Sequence, residues 1–204
     1  MRRIFIVLLL TAVTYSASFA QEAPRRYGIK SGILTQVTSI NGIPAKAMFY
    51  FDDYGSTTAD YQYQIQKRDG KEEPILFTAR ILKDGQLYSV SYIYKQKKAT
   101  HKESELLNFN NLTKEVVKEN HIKKLKGQEE VCGKMCDIYT TRRKYEGFDW
   151  VVKSWVWKGI ILKKTISYID MYQVIETTDF QENVPVDPEV FVVPDFEEIF
   201  DKAK

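Results

Sequence analysis

Ala59-Asp60-Tyr61-Gln62-Tyr63-Gln64-Ile65-Gln66 decides the fold class of this chain. Tyr61, Tyr63 and Ile65 alternate with Gln62, Gln64 and Gln66. A two-residue period belongs to a half-buried β-strand, because successive side chains of extended backbone point to opposite faces. Arg68-Asp69-Gly70 then turns the chain into residues 74–82, where Ile75, Phe77, Ala79 and Ile81 share a face. Asp84-Gly85 turns it again into residues 86–94, with Tyr88, Val90, Tyr92 and Tyr94 aligned. Three strands joined by short Asp-Gly turns make an antiparallel meander. Upstream, residues 27–40 read as a long strand and residues 45–53 as its return arm. Asn41-Gly42 lies between them, a hairpin turn whose two residues tolerate positive φ.

Beyond the meander the period changes. Residues 101–125 are rich in Asn, Lys, Glu and Leu, with Leu112, Val116 and Val117 at helical spacing. Thr113 suits the N-cap, Glu115 the first turn and Gly127 the end of such an insert. Strands resume over residues 128–132, 135–143, 149–157, 160–170 and 172–180, separated by Gly133-Lys134, Glu146-Gly147 and Lys158-Gly159. In the tail, Asp187-Pro188 pairs a cap with a first-turn proline. With no βαβ rhythm, the expectation is a mainly β chain: an antiparallel curved sheet or unclosed β-barrel with one helical insert.

The first twenty residues read differently. Met1-Arg2-Arg3 precedes an apolar run from Ile4 to Leu10, and Ser18 and Ala20 supply small residues at an exit site. This is the pattern of a cleavable secretory signal peptide, residues 1–20. The run is too short for a membrane anchor, which needs about 18 or more continuous apolar residues. Cleavage would leave residues 21–204 as a single domain, and would lower the formal net charge from +3 to +1 by removing Arg2 and Arg3. So balanced a chain lacks the excess positive charge that nucleic-acid binding exploits. The expected location is periplasmic, and no Cys near the cleavage point invites lipidation.

Several short stretches carry a family resemblance together. Tyr27-Gly28-Ile29-Lys30-Ser31-Gly32-Ile33 opens the mature domain, and Phe51-Asp52-Asp53-Tyr54-Gly55 ends the first hairpin. Leu112-Thr113-Lys114-Glu115, Gly133-Lys134-Met135-Cys136-Asp137, Val156-Trp157-Lys158-Gly159-Ile160-Ile161-Leu162-Lys163 and Phe191-Val192-Val193-Pro194 complete the set. The chain resembles exported proteins of Bacteroidota-type bacteria that are similar to the periplasmic lipoprotein carriers LolA and LolB. The resemblance implies an unclosed antiparallel barrel with a helical lid and an apolar cavity for acyl chains. Its motifs are turns and strand ends, so no ligand-contact residue carries over.

On the residues alone, an aromatic sheet face of Tyr61, Tyr63, Phe77, Tyr88, Tyr92, Trp155 and Trp157 either lines a ligand cavity or fills the core, as strand aromatics usually do. Leu112, Val116 and Val117 would then form the apolar stripe of a lid. Cys132 and Cys136, in an oxidising compartment, suggest a disulfide across a hairpin tip, with a redox or metal pair as the sharper alternative. No catalytic motif appears: there is no nucleophile elbow, zinc helix or phosphate loop. His101 and His121 stand in a Lys-rich stretch, and Asp52-Asp53 lacks the ligand spacing of a calcium loop. The Lys runs 95–98 and 123–126 are either a solvated surface or a basic rim for anionic partners. The expected function is a carrier for a lipid, a lipoprotein acyl chain or another apolar ligand, without a cofactor or metal. The alternative is an envelope protein-interaction or stress-sensing module on the same half-barrel.

Overall fold

The computed structural model describes residues 25–199 except 69, 146 and 147. The signal-peptide reading and the Glu146-Gly147 turn lie outside them. Twelve strands form one open sheet: β1 (Gly32–Ile40), β2 (Ile43–Asp52), β3 (Thr57–Arg68), β4 (Lys71–Lys83), β5 (Gln86–Ser91), β6 (Gln96–Lys102), β7 (Lys123–Val131), β8 (Lys134–Tyr145), β9 (Phe148–Trp157), β10 (Ile160–Tyr168), β11 (Met171–Glu182) and β12 (Glu197–Glu198). Their order is β12-β6-β5-β4-β3-β2-β1-β11-β10-β9-β8-β7, so two meanders meet where β1 pairs with β11. Every pairing is antiparallel except the two-residue contact of β12 with β6. The mainly β, unclosed antiparallel architecture is as the alternation predicts.

The turns show why the strands end where they do. Asn41-Gly42, Asp84-Gly85, Cys132-Gly133 and Lys158-Gly159 all have positive φ at both residues, the two-residue geometry whose twist matches the flanking strands. The third lies one residue earlier than the sequence suggested. This shift takes Cys132 into the turn itself, while Cys136 sits in the ladder opposite Glu129.

Several elements differ from expectation. The strand expected over residues 27–40 begins at Gly32, and that expected over residues 86–94 ends at Ser91, where residues 92–95 turn the chain. Residues 96–102, QKKATHK, form β6 although they show no apolar alternation; β5 on one side and β12 on the other satisfy their backbone. The helical insert shrinks to α1 (Lys114–Glu119), whose N-cap Thr113 accepts from Val116 N at 3.3 Å. Residues 123–131 become strand β7 because β8 offers a partner ladder.

Two apolar clusters hold the sheet. One gathers Tyr27, Leu34, Phe51, Cys136, Ile138, Trp155, Ile160 and Leu162 where both meanders meet the N-terminal segment. The other lies on the face of β3–β5 that carries Ala59, Ala79, Ile81 and Val90. It is covered by the C-terminal segment through Phe191, Val190, Val193 and Phe196. Asp187 caps the turn at Pro188–Phe191, accepting from Glu189 N at 3.0 Å, as the Asp-Pro pair predicted.

Candidate functional site

The opposite face of the same sheet carries a cavity of about 780 Å³. Register explains its composition. Phe49 faces Asp60 and Asp60 faces Arg80, while Gln36 of β1 and Ile175 of β11 lie on the same face beside the β1–β11 junction. Lys164 faces Ile175 on one side and Ser154 on the other. All these residues line the cavity. Because side chains alternate, Tyr61 and Ile81 necessarily point the other way from Asp60 and Arg80.

The floor is charged. Asp60 and Lys164 are half-buried, and reach solvent inside the concave body. Burial pushes the Asp60 carboxyl above its usual range, against the pull of the Lys164 and Arg80 charges. Burial likewise pushes the Lys164 ammonium down, opposed by Asp60 and reinforced by Arg80. Asp60 Oδ1 is buried with no hydrogen-bond partner among the described residues. At the edge of the cavity Arg26 donates to the carbonyls of Gly55 (3.0 Å) and Glu103 (3.3 Å), while its Nε has no partner among the described residues. Beside it Tyr27 is buried, which pushes its phenol up to about 12.

The walls are apolar. Phe49, Leu87, Trp150, Val152, Ile166 and Ile175 come from the sheet; Leu106, Leu107 and Phe109 come from the segment that follows β6. That segment is fastened at several points. Phe109 packs on Tyr139 at 5.0 Å between ring centroids. Asn110 Nδ2 donates to the carbonyls of Arg26 (2.9 Å) and Lys158 (3.2 Å), and Asn108 Nδ2 to that of Arg25 (3.3 Å). Gly159 makes this junction possible: its φ is +80°, and a Cβ there would overlap the Arg26 carbonyl oxygen.

The residues singled out from the sequence fall elsewhere. None of the seven aromatics lines the cavity. Tyr61, Tyr88 and Tyr92 pack in the second cluster beneath the C-terminal segment, with Tyr61 Oη donating to the Val190 carbonyl at 2.8 Å. Tyr63, half-buried on the same face of β3, has its phenol raised by burial. Phe77 is the extra residue of a bulge opposite Gln62 and Tyr63. Trp155 is buried in the first cluster, its indole donating to Glu129 Oε2 at 2.7 Å, and Trp157 packs edge-on against Phe180. Leu112, Val116 and Val117 are half-buried and line no part of the cavity; Leu106, Leu107 and Phe109 occupy the place expected of a lid. Cys132 and Cys136 are free thiols rather than a disulfide. The turn conformation of Cys132 carries it out of the ladder, while Cys136 is buried and donates to the Lys134 carbonyl at 3.4 Å. The Lys runs are partly engaged: Lys97 reaches the Pro194 carbonyl (3.4 Å), and Lys124 pairs with Asp137 at 2.6 Å. His101 lies at the surface beside Glu105 (3.5 Å).

One signal for this charged floor was present in the sequence. Asp60 and Arg80 occupy the polar positions of two strands joined by a short turn, and opposite charges on facing positions mark a common face.

No protein-family model matches the sequence, and no curated protein is similar to it in sequence. Among solved structures, the chain is similar to an uncharacterized conserved protein from Thermus thermophilus at 10% identity and a TM-score of 0.47, over 83% of this chain and 90% of that one. It is similar to MucB of Pseudomonas aeruginosa, solved in complex with MucA, at 12% identity and a TM-score of 0.44. That match covers 78% of this chain and 54% of the other. LprF from Mycobacterium bovis aligns at 9% identity and a TM-score of 0.38, over 79% and 89%. The reading of the site rests on this chain's own cavity. Among the described residues, no helix is long and apolar enough to cross a membrane.

Proposed function

We propose that this chain is a binding or carrier protein for an amphiphile with an apolar chain, working in the bacterial envelope after export. The observation that supports this reading is the cavity of about 780 Å³ with apolar side chains over much of its wall, inside the range of roughly 300–1,000 Å³ typical of ligand pockets. We read the role as binding, on the strength of the apolar side chains that surround the small charged floor. Leu106, Leu107 and Phe109 act as the cover, and the ligand enters past them. Native mass spectrometry of protein purified from the envelope should show a bound small molecule, and a fluorescent fatty acid should titrate to saturation. A clean apo mass together with no titration refutes the reading.

A second reading has one observation behind it. Ile40, Ile43, Ile169 and Tyr172 are exposed at two adjacent hairpin tips, joined where Asn41 N donates to the Tyr172 carbonyl at 2.8 Å. Such a patch suits docking of an envelope protein. If docking is the main role, Ile43→Asp abolishes co-purification of that partner and leaves the fatty-acid titration unchanged.

A further inference from the structure

The cavity floor is not what an uncharged acyl chain requires. Arg80 and Lys164 carry two positive charges and Asp60 one negative, and the Asp60 carboxyl and the Lys164 ammonium each sit in the field of the other two groups. The floor therefore carries one positive charge in excess: Lys164 holds its charge half-buried, where an unpaired charge is costly, while Arg80 is exposed to the open cavity. Among the described residues neither the Lys164 nor the Arg80 side chain makes a hydrogen bond or close ion pair, so their donors face the open space of the cavity. The remaining cations of the lining are differently placed. Lys163 pairs with Glu176 at 3.0 Å and Arg26 with Glu103 at 3.5 Å, which leaves Lys144 as a further positive group. The whole chain is close to neutral, so this excess is a property of the cavity and not of the composition.

We propose that the cavity selects anionic amphiphiles, seating a carboxylate or phosphate headgroup against Lys164 and Arg80 on its floor and the chain along Phe49, Leu87, Trp150 and Ile166. This rests on the carrier reading and names its ligand class. A singly charged headgroup balances the floor at two charges of each sign, and a phosphate monoester brings roughly one to two negative charges. Arg80 offers its planar fork of donors and Lys164 a point charge, a combination that suits carboxylate and phosphate oxygens alike. An acidic peptide would satisfy the charges but would leave the apolar wall unused.

The test uses the full chain and three probes of equal chain length: dodecanoate, dodecyl phosphate and neutral monododecanoyl glycerol, titrated by calorimetry. Wild type should bind at least one anion about tenfold or more tighter than the neutral probe, the scale of one charge-assisted hydrogen bond. Whichever anion wins identifies the headgroup. Lys164→Met and Arg80→Met, each checked for cooperative unfolding, should erase most of that preference. Equal binding of anionic and neutral probes by wild type overturns the headgroup inference and leaves the carrier reading standing. A preference that survives in both variants overturns it as well. No binding of any probe overturns the carrier reading itself.

Discussion

Phe191→Ala separates the two faces of the sheet. Phe191 is 6% exposed and anchors the C-terminal segment on Ala59, Ala79, Ile81 and Val90. Truncating a buried phenylalanine costs about 3–5 kcal/mol through lost transfer energy and a residual cavity. Beside those buried residues the cluster includes half-buried tyrosines and valines, able to collapse into part of the space, so the lower end, about 3 kcal/mol, applies. Other ties of the segment remain: Tyr61 Oη to the Val190 carbonyl, Phe196 edge-on to Tyr92 at 5.5 Å, and Ile199 N to the Lys97 carbonyl at 2.9 Å. A domain of this size typically has about 5–15 kcal/mol in hand, so the variant stays folded at 25 °C. Its Tm should fall by about 6–12 °C, at roughly 2–4 °C per kcal/mol. Urea unfolding gives the loss, and the fluorescent fatty-acid titration gives the control: affinity should be unchanged, because the cavity lies on the other face. A loss below about 1 kcal/mol would mean that the segment is not core. Binding that strengthens sharply in a stable variant would mean that it plugs an aromatic site, which refutes the assignment of the two faces.

Gly159→Ala should destabilise by about 1–3 kcal/mol, the usual cost of a side chain forced into left-handed backbone, with the Arg26 carbonyl adding a clash. A loss below roughly 0.5 kcal/mol, the scale of extrapolation error in urea titration, would contradict it. Asp60→Asn tests the charged floor through pH. Burial raises the folded carboxyl above its ordinary value of 3.8, so the folded state holds that proton more tightly than the unfolded state. The stability so gained is present at low pH and fades as pH rises through the folded value. Wild type should therefore gain on the variant as pH falls from about 7 towards the ordinary carboxylate range, and the opposite slope in paired unfolding curves would show that the attraction of Lys164 and Arg80 outweighs burial. Denatured, unreduced protein should release two thiols per chain. In the native state Cys136, buried and with its thiol pushed up to about 11, should react far more slowly than Cys132; zero thiols after denaturation would restore the disulfide.

What the sequence made legible was period, and what it hid was side. Tyr61, Tyr63, Tyr88 and Val90 announce strands because alternation is local. Which face of a curved sheet becomes concave depends on twist and on what covers the other face, and here residues 186–196 claim the aromatic one. The polar positions Asp60 and Arg80, which alternation alone would give to solvent, turn inward to the cavity. β6 escaped notice because QKKATHK has no apolar alternation, and its pairing is set by neighbours on both sides. α1 came out short because Lys123 and Lys124 pair with Thr140 and Tyr139 of β8, and tertiary pairing overrides local helical preference.

The junction of β1 with β11 has a consequence for the order of events. Gln36 and Thr177, bonded across it at 3.2 Å, are 141 residues apart in the chain. Asp60 and Arg80 belong to the meander on one side, Lys164 and Ser154 to that on the other. Either meander can zip by hairpins, the fast and local part of folding, whereas the seam must close a very long loop. Before it closes there are two half-floors and no container. On the proposed carrier reading, ligand binds only the chain whose last long strand has docked, and by mass action it holds that seam shut. Occupancy in such a molecule is also a certificate of completed folding.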